Sequence, residues 1–441
     1  MGPLSSVSIV IAGAGLAGLT AARDLSRKGG DVTVIEARAR VGGRVLTRRK
    51  PFLQRQHAEA GADLIDEGQK EIRTLVGQLG LRLVEILPGG FTGIRQIGAG
   101  RRVRGRTGWY ELERRLGPEI RSFCLSERRW DGAVAQVIGR ESVAAWLDRI
   151  RASEGLRAMA TGLRGFFLAD PDQLSLLAMV DQFAEEDPPG GEKMFRVQGG
   201  NDRIAETLAR SLRRTLQLQM ILRSVSQTPA GVVARVESPS GLHELRADYL
   251  VCTMPATTLR EVSFDPPLPE LQREAIHTLR YGAVTKTSLQ FDRVTWRKRG
   301  KPRAFGTNMS IGAVWDGNEE QHGDHGILTL MAGGCASRET RDMLASGGPA
   351  RLLDQMDWLN LRQAKLVASD SVSWEHEPWS RGGYSFCHHH YNPALREWLA
   401  RPCGRIFFAG EHTSVKWQGY MNGAVETGLR ASAEIQAVHL R

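Results

Sequence analysis

Glycines at positions 13, 15 and 18 form G-x-G-x-x-G, and Glu36 follows eighteen residues after the last of them. The chemistry this spacing serves is recognition of a dinucleotide. Gly13 allows a tight turn, Gly15 has no β-carbon to bar a pyrophosphate from the backbone, and Gly18 lets a helix pack closely on a strand. Leu16 and Ala17 complete the turn and open that helix, whose first N–H groups and positive dipole end would face phosphate oxygens. Glu36, with Ala37 and Arg38 beside it, is placed to accept hydrogen bonds from ribose hydroxyls, and its charge disfavours a 2′-phosphate, so NADP is set aside. The stretch GGRV, residues 42–45, adds Gly42, Gly43 and Arg44, a second approach to the diphosphate that suits FAD better than NAD. A Gly-rich turn that binds nothing is the plain alternative, but strand, turn, helix, strand and acid all in register argue against it.

Those residues need a βαβ unit. SIVIA (8–12) reads as a strand, LTAARDLSRKG as a helix stopped by Gly29 and Gly30, and DVTVIEA as a second strand ending at Glu36. Beyond it, 68–80 predicts a helix, 95–107 a Gly-punctuated hairpin with exposed arginines, and 109 to about 185 a run of helices. A capped helix follows at 199–212, then strands at 219–225, 231–237 and 247–253, where the first domain resumes. Further strands fall at 284–292, 326–334 and 405–410, and a final helix starts near 419. The fold class is α/β: a Rossmann-like nucleotide domain in segments 1–80, 196–275 and 381–441, interleaved with an α+β substrate domain in 81–195 and 276–380.

The 441 residues suggest two or three domains, and 41% hydrophobic with 24% charged residues excludes a mainly disordered chain. The net charge of +10 favours anionic partners, yet the basic residues are spread along the chain, which argues against a nucleic-acid role. GRRVRGR and RKRGKPR read as solvated loops. Five cysteines without a CxxC pair indicate neither a disulfide framework nor a zinc site and point to a reducing compartment, the cytoplasm. No apolar run is long enough to span a membrane, and the apolar start, Val7 to Leu19, belongs to the phosphate turn, not to a signal peptide. His388, His389 and His390 invite a metal, but neighbours on an extended segment point to opposite faces and no carboxylates cluster nearby, so no metal is expected. There is no G-x-S-x-G elbow or Walker loop.

The runs VIEARARVGGRV (34–45), EAGADLI (59–65), RVQGGNDRIAETLA (196–209), PWSRGGYS (378–385) and FFAGEHTSVKWQGYMNGAVETG (407–428) resemble, in order, blocks of the flavin-containing amine oxidase family. That family includes monoamine oxidases, polyamine oxidases and histone lysine demethylases. The resemblance implies a monoamine oxidase-like two-domain architecture, in which the substrate-domain sheet roofs the flavin ring. It implies FAD as cofactor, with Gly61 and Ala62 in the second block and Val225 touching the adenine side through its backbone. Gly410 and Glu411 would lie near the ribityl chain and phosphates, and a helix starting near Gly419, Tyr420 and Met421 would point its positive end at the flavin pyrimidine.

By the same resemblance, Tyr384 and Tyr420 are the two cage tyrosines that guide a neutral amine to the flavin, although on composition alone each is a packed aromatic. Lys286, on a strand face with Val284, Ser288 and Gln290, matches the lysine that holds a water against flavin N5, where pattern alone gives an exposed strand lysine. Trp374 and Trp417 match aromatics bordering the flavin or the substrate pocket, and core packing explains either equally well. A cysteine directly precedes the first cage tyrosine in monoamine oxidases; Gly383 stands there here, and Cys387 is displaced, so FAD is expected to be noncovalent. The implied reaction is oxidation of a primary or secondary amine to an imine, which hydrolyses, with O2 reduced to H2O2. The expected partners are a small amine and O2, with a homodimer allowed and no membrane.

Three rivals stand beside this reading. An L-amino-acid oxidase of the same fold would clamp a carboxylate with an arginine, and Arg104, Arg106 and Arg164 lie in the substrate segments. A flavin-fold nucleic-acid or chromatin-binding protein without turnover would bind DNA in a salt-sensitive way. A desaturase or protoporphyrinogen-type oxidase would share the FAD domain but not the tyrosine cage.

Overall fold

The computed structural model describes residues 4–97, 100–106, 108–184, 193–212, 215–298 and 300–440. Strand β1 (Ser8–Ala12) turns at Gly13 into helix α1 (Leu16–Arg27), and β2 (Asp31–Glu36) returns parallel to β1, the predicted βαβ unit. Around it forms a five-stranded parallel sheet, in the order 216–218, β2, β1, 249–252, 406–408. Alternation places Ile9, Ile11, Val32 and Val34 on the face packed by α1 and the C-terminal helix Met421–His439, and Val10 and Ala12 on the opposite face. Both faces are therefore covered, as a parallel sheet requires.

The crossing of α1 with the C-terminal helix is close because both contribute glycine. A β-carbon on Gly428 would stand 2.4 Å from the Ala17 carbonyl oxygen, and one on Gly18 would stand 1.9 Å from that of Gly13. Gly13 itself has φ +114°, a backbone state costly for any other residue.

A seven-stranded sheet runs in the order 366–373, 284–291, 326–333, 313–316, 304–307, 91–97, 101–104. Neighbours are antiparallel except for 304–307 and 91–97, which are parallel. The strand Val284–Phe291 is buried along its whole length. Thr285 and Thr287 bond to Ser337, Ser371 and Ser373 on one face, while Gln290 reaches Leu53 and Gln56 on the other.

The predicted elements recur within a few residues, with helices at Lys70–Gln78 and Asp202–Ser211 and six helices between 109 and 183. The hairpin 91–104 forms, though residues 98–99 and 107 lie outside the described residues. Strand Gly241–Ala247 escaped the sequence reading because it is exposed at nearly every position and lacks apolar alternation. The four-stranded meander holding it (241–247, 231–238, 221–228, 263–265) covers the nucleotide domain. Among the described residues no helix is long and apolar enough to cross a membrane, and all five cysteines are free.

Candidate active site

One cavity of about 1850 Å³ runs from the Gly13 turn to the seven-stranded sheet. At the turn, Gly13, Gly15, Leu16 and Ala17 line it. Gly15 caps α1 without a side-chain bond, and a β-carbon there would meet nothing within 4 Å, so the helix N-terminus opens onto free space. Gly18 is not part of the lining and does its work in helix–strand packing, as expected. Glu36 borders the cavity and is held by two backbone donors, Ala14 N–H at 2.8 Å and Arg38 N–H at 2.9 Å. Each oxygen keeps a lone pair for a ribose hydroxyl. Ala37 and Arg38 also line the wall, with Arg38 anchored to Glu377 and Ser380.

Gly42 and Gly43 border the cavity too, and Gly42 N–H donates to the Ala14 carbonyl at 2.9 Å, folding this pair over the first turn. Arg44 Nη1 donates to the Gly383 carbonyl at 2.9 Å and to Glu411 at 2.8 Å. Glu411 accepts in addition from Ser385 Oγ at 2.8 Å and Gly419 N–H at 2.9 Å. Burial alone would raise its pKa, but Arg44 and these donors reverse that and hold it below the usual carboxylate range. Glu411 is thus a knot that ties the first and last cofactor segments together, with Gly410 beside it in the lining. The Val225 side chain points away from the cavity. It is buried between Ala234 and Phe264 in the sheet, next to Met220, Ile221, Leu222 and Arg223, which line the cavity. A β-bulge between Leu222 and Ser224 shifts the register at that point. The C-terminal helix also starts two residues later than expected, at Met421, with Gly419 at φ +84° in the preceding turn. Gly419, Tyr420 and Met421 all line the cavity.

Lys286 comes from the substrate segment 276–380 and Tyr384 and Tyr420 from the cofactor segment 381–441, and all three border this same cavity. The Lys286 Nζ donates to the Gly61 carbonyl at 2.9 Å and to Asp63 at 2.9 Å, and lies 5.1 Å from the centre of the Trp315 ring. An ammonium has three donors, so one remains for a water or ligand in the cavity. Asp63 also receives Arg196 Nε and Trp315 Nε1. Burial would raise Asp63, and its two cationic neighbours overcome this to hold it low, while burial draws Lys286 below the usual lysine value against the pull of Asp63. Close by, burial and the Asp63 charge push Glu59 up to about 8. The Gly61–Ala62 block lines the cavity, and Trp374 braces it through Nε1–H to the Ala60 carbonyl at 2.9 Å.

The Tyr384 hydroxyl donates to the Phe166 carbonyl, and the Gly419 backbone lies against its ring. Tyr420 meets the Phe166 ring at 6.4 Å and the Trp417 ring at 5.7 Å, both edge-on. Phe166 therefore touches both tyrosines. Burial, then the Glu411 charge, lift the Tyr384 phenol far above its usual value, so it stays neutral. A β-carbon on Gly383 would collide with Leu168 at 2.5 Å and Val284 at 2.6 Å, and the Cys387 thiol, raised to about 11 by burial, lies near Gln418.

Sequence reasoning missed Asp63, Phe166 and Trp315. Asp63 stands inside the quoted block EAGADLI, and the adjacent phenylalanines 166 and 167 were a visible apolar signal within a helical run. Of the arginines weighed for a carboxylate, Arg164 is occupied by the Asn308 and Met309 carbonyls and Arg106 by Glu113. In the histidine run, His388 is bonded to the Thr278 carbonyl at 3.0 Å. Among the described residues no group of three His, Cys, Asp or Glu is arranged to hold a metal.

Residues 16–436 match the family described as flavin containing amine oxidoreductase. AofH of Mycobacterium tuberculosis, named as a candidate flavin-containing monoamine oxidase, is 29% identical, covering 99% of this chain and 98% of its own. Amine oxidase [flavin-containing] B of Homo sapiens is 25% identical over 97% of this chain and 85% of its own. Among solved structures, cyclohexylamine oxidase from Brevibacterium oxydans superposes with a TM-score of 0.86 at 23% identity, over 99% and 100% of the two chains. Putrescine oxidase bound to putrescine superposes at 0.82 and 23% identity, over 98% and 99%. With the nucleotide turn, the lysine strand and the two tyrosines on one cavity, the chain belongs to the flavin-containing amine oxidoreductase family, and its cofactor is FAD.

Proposed function

We propose that this enzyme oxidises the C–N bond of a neutral primary or secondary amine held between Tyr384 and Tyr420, with O2 as electron acceptor. The observation that carries the reading is the convergence of Lys286, Tyr384 and Tyr420 on the cavity that begins at the Gly13 turn. Bound there, FAD supplies the two-electron acceptor for the amine's α-hydrogen. The open N-terminus of α1 and Glu36 suit its diphosphate and ribose, and the start of the C-terminal helix suits the pyrimidine end. The clash at Gly383 and the distance of Cys387 in sequence favour noncovalent binding.

The tyrosine and phenylalanine walls desolvate the amine and favour its uncharged form, so no strong protein base is needed. The remaining Lys286 donor positions a water at the reacting face, and Asp63 with the Gly61 carbonyl fixes where that ammonium stands. The chain divides functionally into cofactor segments 1–80, 196–275 and 381–441 and substrate segments 81–195 and 276–380. The five free cysteines suit a cytoplasmic enzyme.

The test is anaerobic reduction of the yellow protein by a panel of alkyl and aryl amines, followed from pH 6 to pH 10. The rate constant should rise with pH through the amine's own pKa, and Tyr384→Phe with Tyr420→Phe should lower kcat/KM by about tenfold or more. A flavin that no amine bleaches would defeat the reading. A flat pH profile would remove the neutral-amine step.

A further inference from the structure

We propose that Arg95 is the anion-binding end of an elongated substrate site, so that the amine oxidised here carries a carboxylate far from its nitrogen. This inference rests on the amine oxidase reading above and adds the substrate class.

The strand pairings build a row across the seven-stranded sheet. Lys286 pairs with Met331, Met331 with Ala313, and Gly306 with Gly93, the Ala304–Trp315 register continuing the row between Ala313 and Gly306. Met331, Ala313, Gly306 and Gly93 all line the cavity, and three of the four have almost no side chain. They make the floor of a trough that starts at Lys286. At its far end lies Arg95, two residues beyond Gly93 on the same face of its strand. The guanidinium folds back over Gly93, where a β-carbon would stand 2.0 Å from Arg95 Nη1.

Arg95 is 9% exposed, yet its one hydrogen bond among the described residues runs from Nη1 to the Gly105 carbonyl at 2.9 Å. Its Nε is sealed without a partner, and no described carboxylate pairs with it. Other buried guanidinium groups near the cavity are neutralised: Arg196 by Asp63 and Glu320, Arg44 by Glu411. Burying a cation without an anion is unfavourable, and its pKa is drawn down by burial with no charge to restore it. A ligand carboxylate would supply the missing partner through the planar fork. A guanidinium with no anion of its own at this end attracts anions and repels a second ammonium.

The geometry sets the length of the ligand. Four strand-to-strand steps separate the Lys286 strand from the Gly93 strand, or about 19 Å between backbones. Side chains leaning inward and sheet coiling shorten the gap between Nζ and guanidinium to on the order of 10–15 Å. An α-amino acid cannot bridge this, whereas an amine with a carboxylate eight or more carbons away can.

The test compares 4-aminobutyrate, 8-aminooctanoate and 10-aminodecanoate with octylamine, decylamine and 1,8-diaminooctane, using the FAD-loaded protein, Arg95→Met and Arg95→Lys. In the native enzyme the long amino acids should exceed the matched alkylamines in kcat/KM by about tenfold or more, and 4-aminobutyrate should not. Arg95→Met should abolish that preference, mainly through KM, and Arg95→Lys should retain part of it. Octanoate, which carries no amine, should perturb the flavin spectrum at lower concentration in the native protein than in Arg95→Met, a readout independent of turnover. The inference falls if the alkylamines or the diamine match the long amino acids, or if the preference survives Arg95→Met. Failure of every amine to bleach the flavin would strike the amine oxidase reading instead, and octanoate binding would still decide on Arg95.

Discussion

Removing Asp63 should be the costliest single charge change at the site, and its cost should depend on Lys286. Asp63 is the anion shared by Lys286 and Arg196, and it also accepts from Trp315. Asp63→Asn leaves two buried cations facing each other, a situation that typically costs about 3–5 kcal/mol. An upper bound follows from the escape open to the lysine. From its ordinary value of 10.5, losing its proton at neutral pH costs about 5 kcal/mol at 1.36 kcal/mol per pH unit. Lys286→Met is milder, at about 1–2 kcal/mol, because Asp63 keeps Arg196 and Trp315. The double variant should therefore be more stable than the sum of the two single losses by about 1.5 kcal/mol or more. Urea unfolding of the four FAD-loaded proteins at pH 7 and pH 9 measures this cycle. The Asp63→Asn loss should shrink at pH 9, where the lysine sheds its proton more cheaply. Additivity within about 0.5 kcal/mol, or a loss unchanged with pH, would refute the pairing argument.

Two further outcomes follow from the geometry. Gly18→Ala places a β-carbon 1.9 Å from the Gly13 carbonyl oxygen, so α1 must shift and the purified variant should lose most of its bound FAD, read from the absorbance ratio of flavin to protein. Glu59, raised from 4.5 to about 8, binds its proton more tightly folded than unfolded. The stability it contributes is complete below pH 4.5 and is lost as pH climbs through 8. Glu59→Gln should therefore gain in Tm relative to the native protein between pH 5 and pH 9, and a constant difference across that range would contradict the assignment.

The nucleotide turn was legible because its constraints are local. Gly13 is required by backbone conformation and Gly18 by close approach, and such requirements are written in neighbouring residues. The tyrosines were legible through the runs flanking them, since nothing in the spacing of Tyr384 and Tyr420 says that they meet Phe166 in space. Val225 was legible only through the resemblance, which concerns its backbone, and the bulge at Leu222/Ser224 that shifts the register beside it leaves no trace in the sequence. Asp63 was hidden because an ion pair between residues 63 and 286 leaves no local periodicity. Arg95 was one arginine among many in a basic hairpin, and only its burial and lack of an anion set it apart.

The assembly of the parallel sheet bears on when the enzyme acquires its flavin. Strands 8–12 and 31–36 leave the ribosome early, yet their neighbours are 216–218, 249–252 and 406–408, and the helix that crosses α1 spans 421–439. A nascent chain holding only the first two hundred residues has the phosphate turn but exposes the apolar face that Val425, Ala431 and Ile435 later cover. Flavin capture should thus wait for segments made hundreds of residues after the phosphate turn, and a shortage of riboflavin in the cell should show up as degraded polypeptide before it shows up as an inactive stable protein.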